Sequence, residues 1–403
     1  MSHNGHVVVD MDSHFREYED VDRTYREYID PAYREPFEHL SRAVAARREA
    51  GQTTALFMHP QAIIEPADES RPLGIHDTFG IDRWHSQPHT KAEIRESSAR
   101  EPVDRNVHWD PTIRLRDMDR ALIDVSVMFP SHAASYCTLR DVGFESALHQ
   151  AHHRYMANYC AESEGRLRWV LIATMRDIAR TVEELTYWAE RDDNVVGVLL
   201  SPSCPDGRLL DNPDLHPLYR ASEELDVPIL VHGGVLRPPY TAGATELNDS
   251  GFILRAVYQP WAGMTAVAAM IGGGIFDLFP KLRAGVFETT AGWMPWLIEQ
   301  LDGSYQARPS QAPYLQRLPS EVVAGGQLFH AVDPEERYIE HAVEALGEDI
   351  WLFATDYPHT GSPWPNGVHH VVDRPGLSET AREKILGSNA LRLCTRLASW
   401  APA

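Results

Sequence analysis

The sequence predicts a closed (β/α)8 barrel. Short segments rich in β-branched and aliphatic residues recur along its 403 residues, and each is followed by a longer stretch with helical periodicity or loop signals. This alternation is typical of a parallel α/β sheet. Eight such segments occur, the number that closes a barrel. Because a minimal barrel needs about 250 residues, we expect one domain over residues 1–403.

The predicted elements follow one another in a regular order. The strands are HVVVDMDSH from His6, ALIDVSVMFPS from Ala121, LRWVLIATM from Leu167, NVVGVLLSPS from Asn194, VPILVHGG from Val227, LRAGVFETT from Leu282, GQLFHAV from Gly326 and DIWLFATDYPH from Asp349. Crossover helices are predicted over 145–164, 178–191, 215–225, 263–279 and 334–346, with a final helix over 378–397. The helix before Pro280 ends there because proline cannot continue the hydrogen-bond ladder.

One connection is much longer than the others. Roughly a hundred residues separate the first two strands, whereas a usual βα loop has about two to six. We assign residues 31–115 as an insertion within the barrel domain. It carries eight prolines and a histidine-rich aromatic segment around Trp84. The insertion is either a peripheral segment that contributes to oligomerisation or a lid over the barrel mouth.

Composition and charge exclude two classes of partner. The formal charge of -21, from 58 acidic and 37 basic residues, repels phosphate backbones and anionic lipid surfaces, so neither nucleic acid nor a membrane is an expected partner. The four cysteines form no CxxC pair and predict free thiols.

No signal-peptide pattern and no long apolar run are present. We expect a cytoplasmic protein.

Polar residues at three strand ends predict a metal site. In the first strand, alternation places Asp10, Asp12 and His14 on one face. The fifth strand ends at His232, and the eighth ends in a segment that contains Asp356. Strand ends of a barrel meet at one mouth. Such a mixture of oxygen and nitrogen ligands suits Zn²⁺, Mn²⁺ or Fe²⁺, with an open position for water or substrate.

Five motifs carry a resemblance to the amidohydrolase superfamily, in the branch similar to aminocarboxymuconate semialdehyde decarboxylase. They are VVDMDSH, LRDMDRALIDVSVMFPS, ILVHGG, GGGIFDLFPKLRAGVFETTAGWMPWLIEQLD and LFATDYPH. The resemblance covers nearly the whole chain apart from the insertion. It implies that Asp12, His14, His232 and Asp356 bind a metal, and that Asp356 also accepts a proton from metal-bound water.

The chain departs from the family pattern at two strand ends. Many relatives have a histidine after the sixth strand, where this chain has Glu288, and binuclear relatives have a bridging lysine at the fourth strand, which this chain lacks. Glu288 has three interpretations: a general acid or base, a ligand of a second metal, or a structural carboxylate at a strand end. A second metal would draw its other ligands from Glu17, His132 or His359.

The remaining histidines are assigned by position. His132 follows the second strand and lies either at the mouth or away from it. His359 follows Asp356 by three positions, and we expect it to support that ligand rather than to bind the metal itself. The helical segment with His149, His152 and His153 predicts surface or packing residues.

The motifs and ligand types give three functional hypotheses. The first is a metal-dependent hydrolase or non-oxidative decarboxylase of a small carboxylated substrate. The second is an oxygen-activating hydroxylase with a dinuclear Fe or Fe/Mn centre, resembling 2-aminoisobutyrate hydroxylase, for which the carboxylate-rich ligand set would be suitable. The third is a non-catalytic subunit. The expected partners are a small-molecule substrate and either a second copy of the chain or a related subunit.

Overall fold

The computed structural model describes residues 6–49, 103–233, 254–359 and 361–400. Within these residues, eight parallel strands form one sheet in which each strand pairs with the next along the chain. All of them are buried, as expected for a parallel sheet covered by helices. The strands are β1 (Val9–Phe15), β2 (Val125–Pro130), β3 (Leu167–Ile172), β4 (Val195–Leu200), β5 (Ile229–His232), β6 (Ala284–Phe287), β7 (Leu328–Val332) and β8 (Trp351–Phe353).

The last strand returns to the first, which closes the barrel. The backbone N–H of Asp356 donates to the carbonyl oxygen of Asp12 over 2.8 Å. The backbone N–H of His14 donates to the carbonyl oxygen of Tyr357 over 2.6 Å. Ser13 and Tyr357 form a parallel bridge. The predicted (β/α)8 barrel is therefore confirmed, and its closing contacts lie at the predicted metal site.

Helices occupy the connections between the strands. None of those in the described residues has both the length and the apolar character needed to cross a membrane. They are α1 (Val21–Tyr25), α2 (Arg34–Glu49), α3 (Pro111–Arg120), α4 (Val142–Cys160), α5 (Ile178–Ala189), α6 (His216–Glu224), α7 (Gln259–Gly272), α8 (Ile275–Leu278), α9 (Met294–Ala307), α10 (Pro319–Ala324), α11 (Ile339–Leu346), α12 (Gly367–Val372), α13 (Glu379–Glu383) and α14 (Asn389–Leu393).

Three predicted helices correspond to α4, α5 and α6 with ends shifted by a few residues. The helix predicted over 263–279 is divided into α7 and α8, because Gly274 adopts a φ of +68° and a Cβ there would lie 2.5 Å from the backbone of Tyr314. The helix predicted over 334–346 begins only at Ile339. The final helix is irregular, with a π-turn over 384–388 between α13 and α14.

The ends of the predicted insertion are visible, whereas residues 50–102, with Trp84, lie outside the described part. Helix α2 precedes this gap, and a short 3-10 helix (Arg105–His108) and α3 follow it. Helix α3 was not predicted. It packs directly beside the ends of β1 and β8, where Arg114 donates to the carbonyl oxygen of His14 over 2.6 Å.

Alternate residues of the strands face two different parts of the core. In β2, Val127 and Phe129 belong to one buried cluster, and Met128 belongs to the other. The rings of Phe129 and Phe287 lie 5.2 Å apart, and the ring of Phe129 lies 4.9 Å from that of His232. This apolar packing holds the ring of His232, one of the predicted metal ligands.

Candidate metal centre

Side chains from β1, β5 and the segment after β8 converge at the carboxyl ends of the strands. Asp12 Oδ1 lies 3.2 Å from His14 Nε2 and 3.3 Å from His232 Nε2. Asp356 Oδ1 lies 3.2 Å from the same nitrogen of His14. The side chains of the first three residues are almost fully buried, whereas that of Asp356 is 32% exposed. The structure therefore brings the four predicted ligands together, with access from one side.

The environment of His14 fits a bound cation. Burial lowers the pKa of its imidazole to about 4, so the ring is neutral at physiological pH and has a lone pair for a metal. Both ring nitrogens are buried, and neither has a hydrogen-bond partner of acceptable geometry among the described residues. Because buried polar atoms are rarely left without partners, the donor set fits a divalent cation.

The pair of Asp12 and His232 also favours positive charge. Burial opposes protonation of His232, but the charge of Asp12 outweighs it and raises the pKa of His232 to about 9. Burial opposes ionisation of Asp12, yet the charge of His232 keeps its pKa below the ordinary value. His232 Nδ1 lies 2.7 Å from the carbonyl oxygen of Gly233, which directs Nε2 towards Asp12. A metal at this point would replace the proton on Nε2.

Asp10 does not join this cluster, although alternation predicts it on the same face as Asp12. A register shift between Asp10 and Ser13 interrupts the alternation. The carboxylate of Asp10 instead accepts hydrogen bonds from the N–H and hydroxyl of Thr355, over 2.9 and 2.5 Å. Burial raises the pKa of Asp10 to about 7. Its contacts join β1 to the segment that carries Asp356.

Glu17 is engaged by backbone rather than by other ligands. Its carboxylate accepts hydrogen bonds from the N–H groups of Ser131, His132 and Ala133, the first over 3.1 Å and the second over 2.5 Å. The groups of close ligand atoms among the described residues contain neither Glu17 nor His132 nor Glu288. These contacts give no support to a second metal held by Glu17 or His132.

Glu288 lies beside the cluster, behind the imidazole of His232. Its Oε1 accepts a hydrogen bond from Gln259 Nε2 over 2.9 Å, and its Oε2 lies 3.5 Å from His232 Nδ1. The side chain is 25% exposed. Its backbone has a φ of +51°, a conformation that non-glycine residues adopt rarely. Glu288 therefore faces the nitrogen of His232 that is turned away from Asp12.

His359 lies between Asp356 and Ser131, beside the ring of His14. Its Nδ1 lies 2.6 Å from Asp356 Oδ1, and its Nε2 lies 2.8 Å from the hydroxyl of Ser131. The ring stacks on that of His14 with centroids 3.9 Å apart. His359 and Asp356 also form a group of close ligand atoms with His14, so proximity alone does not separate support from ligation.

Sequence reasoning missed several residues that hold the site together. Arg114, Gln259, Thr355 and Ser131 each bind a predicted ligand, its backbone or its neighbour. Each lies between 29 and 345 positions from the residue that it contacts, so no local pattern could reveal these pairs. The only signal was positional, since Ser131 and Thr355 lie at strand ends. The histidines of α4 are buried packing residues rather than surface residues.

Comparisons with known proteins define the family. The amidohydrolase family model matches residues 9–394, and the chain therefore belongs to this family. Over 325 residues it is 23% identical to 2-amino-3-carboxymuconate-6-semialdehyde decarboxylase of Dictyostelium discoideum, a match that covers 79% of this chain and 86% of that protein. The resemblance carried by the five motifs is confirmed.

Solved structures of related fold include an amidohydrolase of Mycobacterium avium subsp. paratuberculosis K-10, with a TM-score of 0.69, 18% identity and coverage of 96% of this chain and 99% of that one. A 5-carboxyvanillate decarboxylase of Novosphingobium aromaticivorans, complexed with manganese and 4-hydroxy-3-methoxy-5-nitrobenzoic acid, has a TM-score of 0.66, 17% identity and coverage of 96% of each chain. At these identities the structural likeness shows the fold alone. None of these proteins supports the oxygenase hypothesis.

Proposed function

We propose that this chain is a divalent-metal-dependent, non-oxidative decarboxylase of a small carboxylated substrate. The observation that carries the proposal is the convergence of Asp12, His14, His232 and Asp356 on one point at the barrel mouth. The decarboxylases among the similar proteins favour loss of CO₂ over hydrolysis. Hydrolysis by the same centre is the alternative, because a metal that polarises a substrate oxygen also activates water.

The ligand set would hold one metal in an open site. Asp12, His14 and His232 form its buried side, and the partly exposed Asp356 forms the side that faces the entrance. A divalent cation bound here supplies a Lewis acid for a carboxylate or hydroxyl oxygen of the substrate. Zn²⁺ and Mn²⁺ both accept this mixture of carboxylates and imidazoles.

Decarboxylation requires a proton for the carbon that loses CO₂, and two carboxyl groups are placed to carry one. Burial raises the pKa of Asp356 to about 6 in the metal-free chain, and a bound cation would favour its carboxylate form, which can take up a proton and return it. The side chain of Glu288 is 25% exposed and accepts a hydrogen bond from Gln259. We assign Asp356 as the carboxylate next to the metal that accepts a proton and returns it to the substrate carbon, and Glu288 as a second acid or base that acts through solvent or substrate.

The proposal is tested by metal analysis and by a CO₂-release assay on the same preparation. Protein purified without added metal, and then titrated with Mn²⁺ or Zn²⁺, should bind one ion per chain. The Asp12→Asn variant should bind none. A panel of hydroxylated aromatic and unsaturated carboxylic acids should give CO₂ from at least one member, only with metal. Turnover of lactones or amides without any CO₂ release would make the chain a hydrolase instead.

A further inference from the structure

We propose that His359 and Ser131 are positioning residues that hold Asp356 in the orientation needed by the metal, an inference that rests on the proposed function. The side chains form a continuous row. Asp356 Oδ1 lies 2.6 Å from His359 Nδ1, and His359 Nε2 lies 2.8 Å from Ser131 Oγ. One end of this row is therefore the proposed ligand, and the other is the loop after β2.

The contacts of His359 separate support from ligation. A neutral imidazole has one donor and one acceptor nitrogen. A nitrogen lone pair 2.6 Å from a carboxylate oxygen would be repelled, so Nδ1 carries the proton, and its N–H dipole attracts Asp356 at an angle outside that of a hydrogen bond. Nε2 then accepts the hydroxyl proton of Ser131. Both ring nitrogens are engaged in this arrangement, and neither has a lone pair left for a metal. Stacking on His14, at 3.9 Å between centroids, fixes the plane of the ring.

Asp356 needs such support more than the other three ligands. Strand β8 ends at Phe353, so Asp356 lies beyond the regular sheet, in a backbone with a φ of +55°. Its side chain is 32% exposed, whereas those of Asp12 and His14 are 2% and 0% exposed. Packing of the barrel therefore holds those two ligands in place, while the orientation of Asp356 depends on polar contacts such as the one with His359 Nδ1.

Ser131 is itself fixed by the fold. It is 1% exposed and follows the end of β2, and its N–H donates to Glu17 over 3.1 Å. Glu17 also accepts the N–H groups of the next two residues, which holds the whole turn against the end of β1. The hydroxyl of Ser131 therefore has a fixed position. Its hydrogen bond to His359 orients the imidazole ring, which in turn contacts Asp356.

A double-mutant cycle on Mn²⁺ affinity tests this role. Support of this kind is worth about 10- to 100-fold in metal affinity, so we expect His359→Ala to weaken Mn²⁺ binding by about that factor. Ser131→Ala should weaken it less, by about 3- to 10-fold. Because Ser131 acts through His359, the double variant should bind Mn²⁺ no more weakly than His359→Ala alone. His359→Asn, whose amide can replace the Nδ1 donor, should restore part of the affinity.

The control is Ser163→Ala, which removes another buried serine hydroxyl that makes two hydrogen bonds, before β3 at the opposite end of the barrel. It should leave Mn²⁺ affinity unchanged. Thermal melting of each apo variant reports its folding independently of the metal. Complete loss of Mn²⁺ binding in a folded His359→Ala variant would make His359 a metal ligand. If the losses of Mn²⁺ affinity in His359→Ala and Ser131→Ala add up in the double variant, Ser131 does not act through His359. Either result overturns the inference.

The same measurements separate this inference from the proposed function. If the wild-type chain binds no Mn²⁺ or Zn²⁺, or if Asp12→Asn binds as well as wild type, the proposed function fails. If wild type binds one ion, Asp12→Asn binds none, and His359→Ala binds like wild type, only the positioning role fails.

Discussion

Glu288 and Asp356 share a backbone conformation that side chains rarely tolerate, with φ angles of +51° and +55°. Such conformations cost about 1–3 kcal/mol each and persist only where the surrounding structure imposes them. Both residues follow the last regular position of a strand, β6 or β8, by a few residues at most. The fold therefore holds one such carboxylate beside His14 and one beside His232, and it holds Glu164 and Asp226, which lie away from the site, in the same conformation.

Replacement of Glu288 by Gln should separate an acid or base from a metal ligand. Gln keeps the size of the side chain and can still accept a hydrogen bond from Gln259, so we expect Mn²⁺ stoichiometry and the melting temperature to change little. Turnover should fall by about 100-fold or more, because a general acid or base contributes about that factor. A variant that turns over normally, or that loses a metal ion, would contradict this assignment.

Glu17 should give the stability of the protein a measurable pH dependence. Burial raises its pKa from 4.5 to about 7, so the folded state retains a proton that the unfolded state releases at lower pH. The stability that this group contributes is fully present below about pH 4.5 and is lost as pH rises through about 7. From about pH 5 to about pH 8, wild type should therefore lose unfolding free energy relative to Glu17→Gln in urea denaturation.

The control for Glu17 is Glu344→Gln, which removes one negative charge from an exposed position of α11. Its unfolding free energy should follow that of wild type across the pH range. Parallel curves for wild type and Glu17→Gln would show that the raised pKa of Glu17 has no effect on stability.

For individual residues, the sequence predicted which residue types lie at the strand ends but not their hydrogen-bond partners. Asp12 and His14 could be assigned because strand alternation and barrel geometry bring strand ends together. Asp10 could not, because a register shift in β1 is invisible in a pattern that alternates regularly. Glu17 looked like a candidate ligand, and its partners are backbone N–H groups, which every residue has and no sequence pattern marks.

Among the elements, α3 has the largest unpredicted influence on the site. Arg114 is fully buried, donates to the carbonyl oxygen of His14 over 2.6 Å, and lies 5.3 Å from the ring of Tyr357. Asp117 accepts the hydroxyl of the same tyrosine over 2.6 Å. One helix thus contacts both the end of β1 and the segment after β8, so the spacing of Asp12 and Asp356 depends on it.

Substitution of Arg114 by Met should destabilise the protein and weaken metal binding together. Loss of a buried charged donor to a backbone oxygen costs about 1.5–3 kcal/mol, and we expect a decrease of that size in unfolding free energy with a several-fold loss of Mn²⁺ affinity. The matched control is Arg116→Met on the same helix, whose side chain is 57% exposed and should change stability by less than about 1 kcal/mol. Equal effects of both substitutions would remove the special role of Arg114.

Element boundaries were less predictable than element types. Strand positions were close because each buried strand is a short, nearly continuous apolar run. The helix over 263–279 was divided because Gly274 packs against the backbone of Tyr314, a contact made across about forty residues of sequence. Long-range contacts of this kind decide where a helix ends, and local periodicity does not contain them.

For the whole molecule, the metal should link stability to ligand concentration. An ion that binds only the folded state stabilises it by about 2.7 kcal/mol at a free concentration of 100 times its Kd. Removal of metal by a chelator should therefore lower the melting temperature by several degrees, and Mn²⁺ should restore it. Asp12→Asn should melt at the same temperature with and without Mn²⁺. If the melting temperature of wild type is the same with and without the chelator, no metal is bound at this centre.

The overall architecture was the most predictable property of the chain. Eight apolar segments separated by helical stretches leave few alternatives to a barrel, and the polar residues at strand ends and the motifs favour a site at its mouth. The predicted insertion shows the limit of this reasoning. A long connection reveals its own length in the sequence, but whether residues 31–115 act as a lid or contribute to oligomerisation depends on contacts that composition does not encode.

The closing contacts of the barrel have a consequence for the order of events in the cell. The hydrogen bond from Thr355 to Asp10 joins residues that are 345 positions apart. A ribosome must therefore finish β8 long after it has released β1, and until then Asp12 and His14 have no Asp356 beside them. Until then, one edge of β1 in the nascent chain has no neighbouring strand, and unpaired strand edges of this kind can pair with other chains. The four proposed metal ligands are therefore brought together only once β8 has been made and the two ends of the barrel have met.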